Sequence, residues 1–320
     1  MANPGLSVTV SDNMGDPTIL GLSLNDRLAE QVSAAFPLLR GDETNLPAGI
    51  EEVEGIALMG GGVTAATLAR CPKLRIICTF GVGYDRVDLD ACRARGITLA
   101  HAAGMTDGCV ADMAFALLLA ARREIVLGDR FVRSGAWGPG GRPLAHRVWG
   151  HKLGIFGMGR IGTVIARRAA GFDMEVAYCN RRQRADSDLR FFSDLGDLAA
   201  WSDFLVIACP ATPETANSVD RAVLRKLGPK GVLVNIARGT IVNEPDLIAA
   251  LEAGEIASAG LDVFAEEPVV PEALMRSERT VVMPHRAGGT IETWEDCGNH
   301  LVANLQSFFK TGRALTPVVL

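Results

Sequence analysis

Three short segments in the second half of the chain hold the residues best suited to chemistry, each just past an apolar run. Val234-Asn235-Ile236-Ala237-Arg238-Gly239 supplies an arginine. Gly260-Leu261-Asp262-Val263-Phe264-Ala265-Glu266-Glu267-Pro268 supplies carboxylates. Val282-Met283-Pro284-His285-Arg286-Ala287-Gly288-Gly289-Thr290 supplies a histidine. Ligands of open α/β sheets gather outside the carboxyl ends of strands. An arginine, a carboxylate and a histidine after neighbouring strands make a carbonyl-reducing site. A reductant is implied upstream, where Lys152–Phe156 leads into Gly157-Met158-Gly159-Arg160-Ile161-Gly162, a G-x-G-x-x-G that opens helix-forming sequence. Gly157 permits the turn, Gly159 lets backbone approach phosphate, and Gly162 lets helix and strand pack closely. Free N–H groups and the helix dipole favour the pyrophosphate anion.

The elements that must position these groups alternate as strand and helix. Val53–Met59 and Leu74–Phe80 read as strands, and Leu24–Phe36, Ala65–Ala69 and Leu89–Arg95 as helices, a parallel α/β pattern. A long helix is expected from about Asp107 to Val126, capped by Thr106, and then an irregular Gly-rich arm over Ser134–Gly141. A second alternation sets strands at Leu153–Phe156, Glu175–Tyr178, Phe204–Ala208, Val232–Asn235, Ala257–Leu261 and Thr280–Met283, enough for a whole dinucleotide-binding domain. The tail from Thr290 to Lys310 reads as helix. The expected fold is α/β with two Rossmann-like lobes, a flavodoxin-like substrate domain and an inserted dinucleotide-binding domain with a parallel sheet. The expected boundaries are 1–101 with 285–320 for the substrate-binding domain and 102–284 for the NAD(P)-binding domain.

The end of the second strand after the glycine loop indicates which dinucleotide binds. NAD-binding sites place an acidic residue there to accept from the ribose 2′-OH. Here the sequence runs Ala177-Tyr178-Cys179-Asn180-Arg181-Arg182-Gln183-Arg184, with no acid. Guanidinium forks match a 2′-phosphate, whereas a carboxylate would repel it. The expectation is NADPH in preference to NADH, with Asn180, Arg181 and Arg182 at the adenosine ribose.

With 320 residues, 48% of them hydrophobic, the chain is long enough for about two domains. A net charge of −5 gives no basic footprint for nucleic acid. No apolar run is long enough to span a membrane, and Met1–Ser11 lacks the pattern of a signal peptide. Seven scattered cysteines without a C-x-x-C argue against a disulfide framework or a structural zinc and for a reducing cytoplasm. No metal site is expected.

The chain resembles the D-isomer-specific 2-hydroxyacid dehydrogenases along nearly its whole length. The resemblance is carried by Phe80-Gly81-Val82-Gly83-Tyr84-Asp85, Val110-Ala111-Asp112, the glycine loop, Thr212-Pro213-Glu214-Thr215, Asn235–Gly239, Leu261–Pro268, Pro284-His285 and Leu315-Thr316-Pro317, in that order. Within the family it looks most like the NADPH-preferring glyoxylate/hydroxypyruvate reductases and the hydroxyphenylpyruvate reductases.

The resemblance implies roles for individual residues. His285 would protonate the carbonyl oxygen as hydride arrives from the nicotinamide. Glu267, beside Pro268, would keep His285 charged, since a nearby anion raises a histidine pKa. Arg238 would bind the substrate carboxylate and polarise the carbonyl. Asp262 would sit near the nicotinamide, and Thr106, Pro210, Thr215 and Ile236 would join Gly157–Gly162 in binding the cofactor. Backbone N–H groups at Gly61, Val82 and Gly83 would hold the substrate carboxylate, in an interdomain cleft. The Gly-rich arm implies a homodimer. Substrates would be small 2-oxo acids, glyoxylate and hydroxypyruvate first and aryl pyruvates second, reduced to D-2-hydroxy acids. His101, His146, His151 and His300 are read as structural.

Two departures from the family pattern matter: many relatives carry a Gly-Ser or Ala-Ser pair after the histidine where this chain has Ala287-Gly288, without the serine hydroxyl, and Asn180 stands at the usually acidic position. Formate dehydrogenases of the family carry Gln beside the proline, so Glu267 argues against that branch. A rival of another class is a dinucleotide-sensing corepressor, which can retain the same polar residues but for which no peptide-docking extension is evident. A phosphoglycerate dehydrogenase would want the missing acid after the second strand.

Overall fold

The structure, a computed structural model, describes residues 15–320. Met1–Ser11, read above for a signal peptide, lies outside the described residues. The chain divides into two compact units, one of described residues up to Thr106 with Thr290–Leu320, the other Asp107–Gly289.

The first unit runs β1 (Thr18–Leu22), α1 (Asp26–Ser33), β2 (Leu38–Gly41), β3 (Val53–Leu58), α2 (Ala65–Ala69), β4 (Ile76–Thr79), α3 (Leu89–Arg95) and β5 (Thr98–Ala100). Its strands pair in parallel in the order β2-β1-β3-β4-β5. That is the flavodoxin-like winding, with the topological switch between β1 and β3. Asn25, Thr64 and Asp88 cap α1, α2 and α3 by accepting from N–H groups of the first turn. β1 and β2 carry no residue singled out in the sequence, and their short apolar runs were not read as strands.

The second unit opens with α4 (Asp107–Arg122) and α5 (Ile125–Arg133). The single helix expected to Val126 is in fact broken. Glu124 takes a left-handed conformation (φ 53°), and the guanidinium of buried Arg122 donates to the Lys230 carbonyl at 2.9 Å. There follow β6 (Lys152–Phe156), α6 (Arg160–Ala169), β7 (Glu175–Cys179), β8 (Arg190–Phe192), α7 (Leu195–Trp201), β9 (Phe204–Ile207), α8 (Arg221–Leu227), β10 (Val232–Asn235), α9 (Glu244–Glu252), β11 (Ser258–Leu261), α10 (Glu272–Arg276) and β12 (Thr280–Val282). The seven strands are ordered β12-β11-β10-β9-β6-β7-β8, all parallel. This is the dinucleotide-binding order with one strand added beyond β11. The strand missed from sequence is β8, three residues at the sheet edge. Both faces of the sheet are covered: Leu205, Leu233 and Ala259 pack in one apolar cluster, Val206, Val234 and Ile155 in the other.

The last helix, α11 (Ile291–Thr311), is capped by Thr290 and belongs to the first unit, where Trp294 meets Phe80 at 4.7 Å between ring centroids. The units therefore divide after Thr106 and Gly289, a few residues later than the expected 101 and 284. His285 stays with the second unit because its N–H donates to the Asp262 carbonyl at 2.8 Å.

Candidate active site

Three loops at the carboxyl ends of β10, β11 and β12 build the polar cluster of the second unit. Asn235, 1% exposed at the end of β10, folds the first. Its Nδ2 donates to the Arg238 carbonyl (2.9 Å) and its Oδ1 accepts from the Ala237 N–H (3.1 Å). Arg238 is half-buried, with Nη1 donating to the Ala237 carbonyl at 2.8 Å. Gly239 fixes the distance to the second loop. A Cβ there would lie 1.9 Å from the Phe264 carbonyl carbon, so only glycine lets the two backbones touch.

Asp262, fully buried after β11, ties the second loop to the third. Its carboxylate oxygens accept from the N–H groups of Arg286 (2.7 Å) and Ala287 (2.8 Å). Burial raises the pKa of this carboxyl, opposed by those two N–H groups. Glu267 is divided between two tasks: Oε1 accepts from the Phe264 N–H at 3.0 Å, and Oε2 lies 2.7 Å from His285 Nδ1. His285 sits on left-handed backbone (φ 51°), a conformation few non-glycine residues adopt. A carboxylate only accepts, so Nδ1 carries the proton of that bond and Nε2 is the nitrogen left for other chemistry. The structure thus gathers Asp262, Glu267 and His285 into one hydrogen-bonded set, with the Arg238 loop packed against it. Glu266 is exposed and outside it.

The glycine loop follows β6. Gly157 has φ 107°, and a Cβ on it would stand 2.3 Å from the Cys209 nitrogen. A Cβ on Gly162 would stand 2.3 Å from the Gly157 carbonyl oxygen, whereas one on Gly159 would meet nothing within 4 Å. The first helical bond of α6 runs from the Thr163 N–H to the Gly159 carbonyl (3.0 Å), so the N–H groups of Arg160, Ile161 and Gly162 precede it and are available to an anion. Met158 is buried, and its N–H donates to Asn180 Oδ1 at 2.7 Å. Arg160 Nε pairs with Asp107 Oδ2 (3.0 Å), while Asp107 Oδ1 is buried with no hydrogen-bond partner. A closed turn, open space beside Gly159 and an orphaned buried acceptor together fit a dinucleotide with its pyrophosphate on the helix end and hydroxyl or amide donors nearby.

Arg181 and Arg182 are exposed beyond Asn180. Arg184 is engaged elsewhere, donating to the Met158 carbonyl (3.0 Å) and Thr163 Oγ1 (2.9 Å) and pairing with Asp186. Pro210 and Thr215 belong to one turn after β9, where Thr215 Oγ1 donates to the Pro210 carbonyl at 2.9 Å. Ile236 is buried beside β10, and Thr106 immediately precedes α4. Burial pushes the Cys179 and Cys209 thiols up to about 11 and about 12, which favours the protonated thiol over the nucleophilic thiolate.

Sequence reasoning missed Asp107 and Arg184. Asp107 looked like an ordinary first-turn acid, and its contact with Arg160 spans 53 positions. Arg184 was one of three similar arginines, and only the turn of the loop separates its task from theirs.

In the first unit, Gly61 (φ 74°) follows β3, and Val82 and Gly83 follow β4. His101, read as structural, has Nδ1 2.9 Å from the Val82 carbonyl and so braces that loop. His300 Nε2 bonds Thr316 Oγ1 at 2.8 Å, and burial lowers its pKa. His151 lies 3.1 Å from Asp203. Among the described residues, no group of three or more His, Cys, Asp or Glu is placed to hold a metal. No helix of the described residues is long and apolar enough to cross a membrane.

A family model described as "D-isomer specific 2-hydroxyacid dehydrogenase, NAD binding domain" matches residues 115–287. A hydroxyphenylpyruvate reductase of Plectranthus scutellarioides is 42% identical over 258 residues, 81% of this chain and 82% of the relative. A 2-ketogluconate reductase of Gluconobacter oxydans is 43% identical over 268 residues, 83% of this chain and 86% of the relative. Among solved structures, an NADPH-dependent glyoxylate/hydroxypyruvate reductase from Sinorhizobium meliloti, in complex with NADP and malonate, superposes with a TM-score of 0.91 at 37% identity, covering 95% of this chain and 97% of that one.

Proposed function

We propose, from the premise that this chain belongs to the D-isomer-specific 2-hydroxyacid dehydrogenase family, that it is an NADPH-preferring reductase of small 2-oxo acids, glyoxylate and hydroxypyruvate foremost. The observation that carries the reading is the 2.7 Å bond between Glu267 and His285, which sets one ring nitrogen as a fixed donor and the other as a proton source. The similar solved structure from Sinorhizobium meliloti is named for those two substrates and for NADPH. The reductase from Plectranthus scutellarioides, named for hydroxyphenylpyruvate, keeps aryl pyruvates as the second candidates.

A bound nicotinamide dinucleotide supplies the hydride. Protonated His285 gives the Nε2 proton to the developing alkoxide, so the product leaves as a neutral hydroxyl. Glu267 holds the imidazole in one tautomer and balances its charge. Arg238 binds the substrate carboxylate and polarises the carbonyl. Gly61, Val82 and Gly83 are assigned to the carboxylate through their N–H groups, and the unit that carries them is assigned the substrate-binding role. The second unit is assigned the cofactor, held by the Gly157–Gly162 loop, Pro210, Thr215, Ile236 and Asp262, and Thr106, the residue just before α4, is assigned to it as well. Asn180, Arg181 and Arg182 take the 2′-phosphate. We assign the protein to the cytoplasm, which its scattered cysteines without a C-x-x-C support, and to a homodimer, which the exposed apolar side chains of Ile125, Val132, Trp137, Leu144 and Trp149 support.

The test is a kinetic panel of glyoxylate, hydroxypyruvate, phenylpyruvate and hydroxyphenylpyruvate, each with NADPH and NADH. Glyoxylate and hydroxypyruvate with NADPH should give the highest kcat/KM. Arg181→Asp and Arg182→Asp should shift the preference toward NADH by about tenfold or more, since a charge-assisted phosphate contact is lost and a repulsion gained. Unchanged cofactor preference in both variants would refute the basic-loop assignment. Tight dinucleotide binding without turnover of any 2-oxo acid would favour a sensor over an enzyme.

A further inference from the structure

In the first unit, the winding direction reverses between β1 and β3, and ligands of such sheets sit in the crevice that opens there at the carboxyl ends of the strands. Four loops converge on that edge: Ser23 after β1, Asp42–Asn45 after β2, Met59–Gly62 after β3 and Phe80–Arg86 after β4. Asp42 makes the second loop rigid, because its Oδ1 accepts from the N–H groups of Thr44 and Asn45, each at 2.8 Å, and from Thr44 Oγ1 at 2.7 Å. Glu43 is held within that turn, and its side chain lies over the glycines that follow β3. Its Oε1 is 2.7 Å, and its Cγ 2.9 Å, from the point where a Cβ on Gly61 would stand, and Oε1 is 3.0 Å from the same point on Gly62. Arg86 closes the other side. Its carbonyl accepts from the Val63 N–H at 3.0 Å, and its Nη2 is 3.7 Å from Glu43 Oε1.

A carboxylate and a guanidinium therefore face each other over Gly61 and Gly62. Their side chains are 40% and 67% exposed, and an ion pair in that setting adds little to stability. Both positions nonetheless favour glycine, since Gly61 sits on left-handed backbone (φ 74°) and a Cβ on Gly62 would stand 2.6 Å from the Arg86 carbonyl oxygen.

We propose that Glu43 and Arg86 form the subsite for the distal end of the substrate, and that the class it selects is 2-oxo acids with an uncharged, hydroxylated tail: hydroxypyruvate and longer sugar-derived 2-oxo acids. This rests on the assignment of Gly61, Val82 and Gly83 to the substrate carboxylate. A hydroxyl satisfies both groups at once, donating to Glu43 and accepting from Arg86, and neighbouring hydroxyls extend the pattern. A phenyl ring would desolvate both without pairing either. A second carboxylate would meet Glu43 as a like charge. Glu43 and Arg86 are specificity-determining residues and take no part in the hydride or proton transfer.

The experiment compares wild type, Glu43→Gln, Glu43→Ala and Arg86→Met with NADPH on glyoxylate, hydroxypyruvate, 2-oxogluconate, phenylpyruvate and oxaloacetate. Glyoxylate has no tail and serves as the internal reference. The wild type should favour the two hydroxylated acids over phenylpyruvate and oxaloacetate. The ratio of kcat/KM for each hydroxylated acid to that for glyoxylate should fall about tenfold in the Ala and Met variants, mainly through KM. Oxaloacetate should gain several-fold in Glu43→Gln, which keeps the shape and removes the charge. Circular dichroism and Tm matching wild type establish that the variants are folded. Unchanged ratios in folded variants, or a wild type that prefers phenylpyruvate, would overturn the subsite and leave the reductase reading intact. A wild type that reduces none of the five acids would overturn both.

Discussion

Asp262 holds no more than two backbone N–H groups, yet the position of His285 depends on it, since those N–H groups belong to the residues that follow the histidine. Asp262→Asn keeps one acceptor oxygen and turns an amide donor toward the other N–H. The expected loss is about 1–3 kcal/mol of unfolding free energy, the usual cost of an unsatisfied buried group, read from urea denaturation. The sign of its pH dependence follows from the raised pKa of Asp262. A carboxyl raised in the folded state contributes stability fully below its unfolded value, and that contribution fades as pH rises through the folded value. The deficit of the variant should therefore be largest near about pH 4 and narrow toward neutrality. His285 and Glu267 were legible as types in a motif. The left-handed backbone of His285 and the twin bonds of Asp262 were not, because they are set by loop closure between β11 and β12 rather than by local sequence.

The glycine loop separates folding from binding at the scale of an element. Gly157 and Gly162 have no room for a side chain, while Gly159 has open space. Gly157→Ala and Gly162→Ala should lower Tm, since a Cβ in either place meets backbone. Gly159→Ala should fold with a Tm near wild type and bind NADPH at least about tenfold more weakly, its methyl standing where the pyrophosphate approaches. Fluorescence titration of NADPH beside thermal melts would check both, and undiminished affinity in Gly159→Ala would place the pyrophosphate elsewhere. Most strands of the second unit could be read from sequence because buried parallel strands are short apolar runs bounded by turns. β8 escaped because a three-residue edge strand has too little pattern. The division of α4 from α5 escaped because the helical periodicity continues through Glu124 and only its left-handed backbone breaks the axis.

At the scale of the molecule, the insertion of a dinucleotide-binding unit within a flavodoxin-like one was legible from the mid-chain glycine loop and the returning helix. The points of division were not, since they depend on which unit's hydrogen bonds claim Pro284–Gly289. No residue of α5 is buried, and Ile125 and Val132 on it, with Trp137 beyond it, are each more than half exposed. A helix with no buried residue and exposed apolar side chains supports the proposed homodimer. Light scattering should give twice the 33.9 kDa of one chain, and Ile125→Asp with Val132→Asp should halve it. A monomeric wild type would refute the dimer.

If His285 supplies the proton for reduction of a 2-oxo acid, NADPH consumption with glyoxylate and hydroxypyruvate should separate wild type from His285→Ala, with NADPH affinity measured on the same samples. Wild type should turn over both acids and the variant should lose about 10²–10⁴-fold in kcat, with the Kd for NADPH little changed. Near-normal turnover by His285→Ala would contradict the proton-donor role.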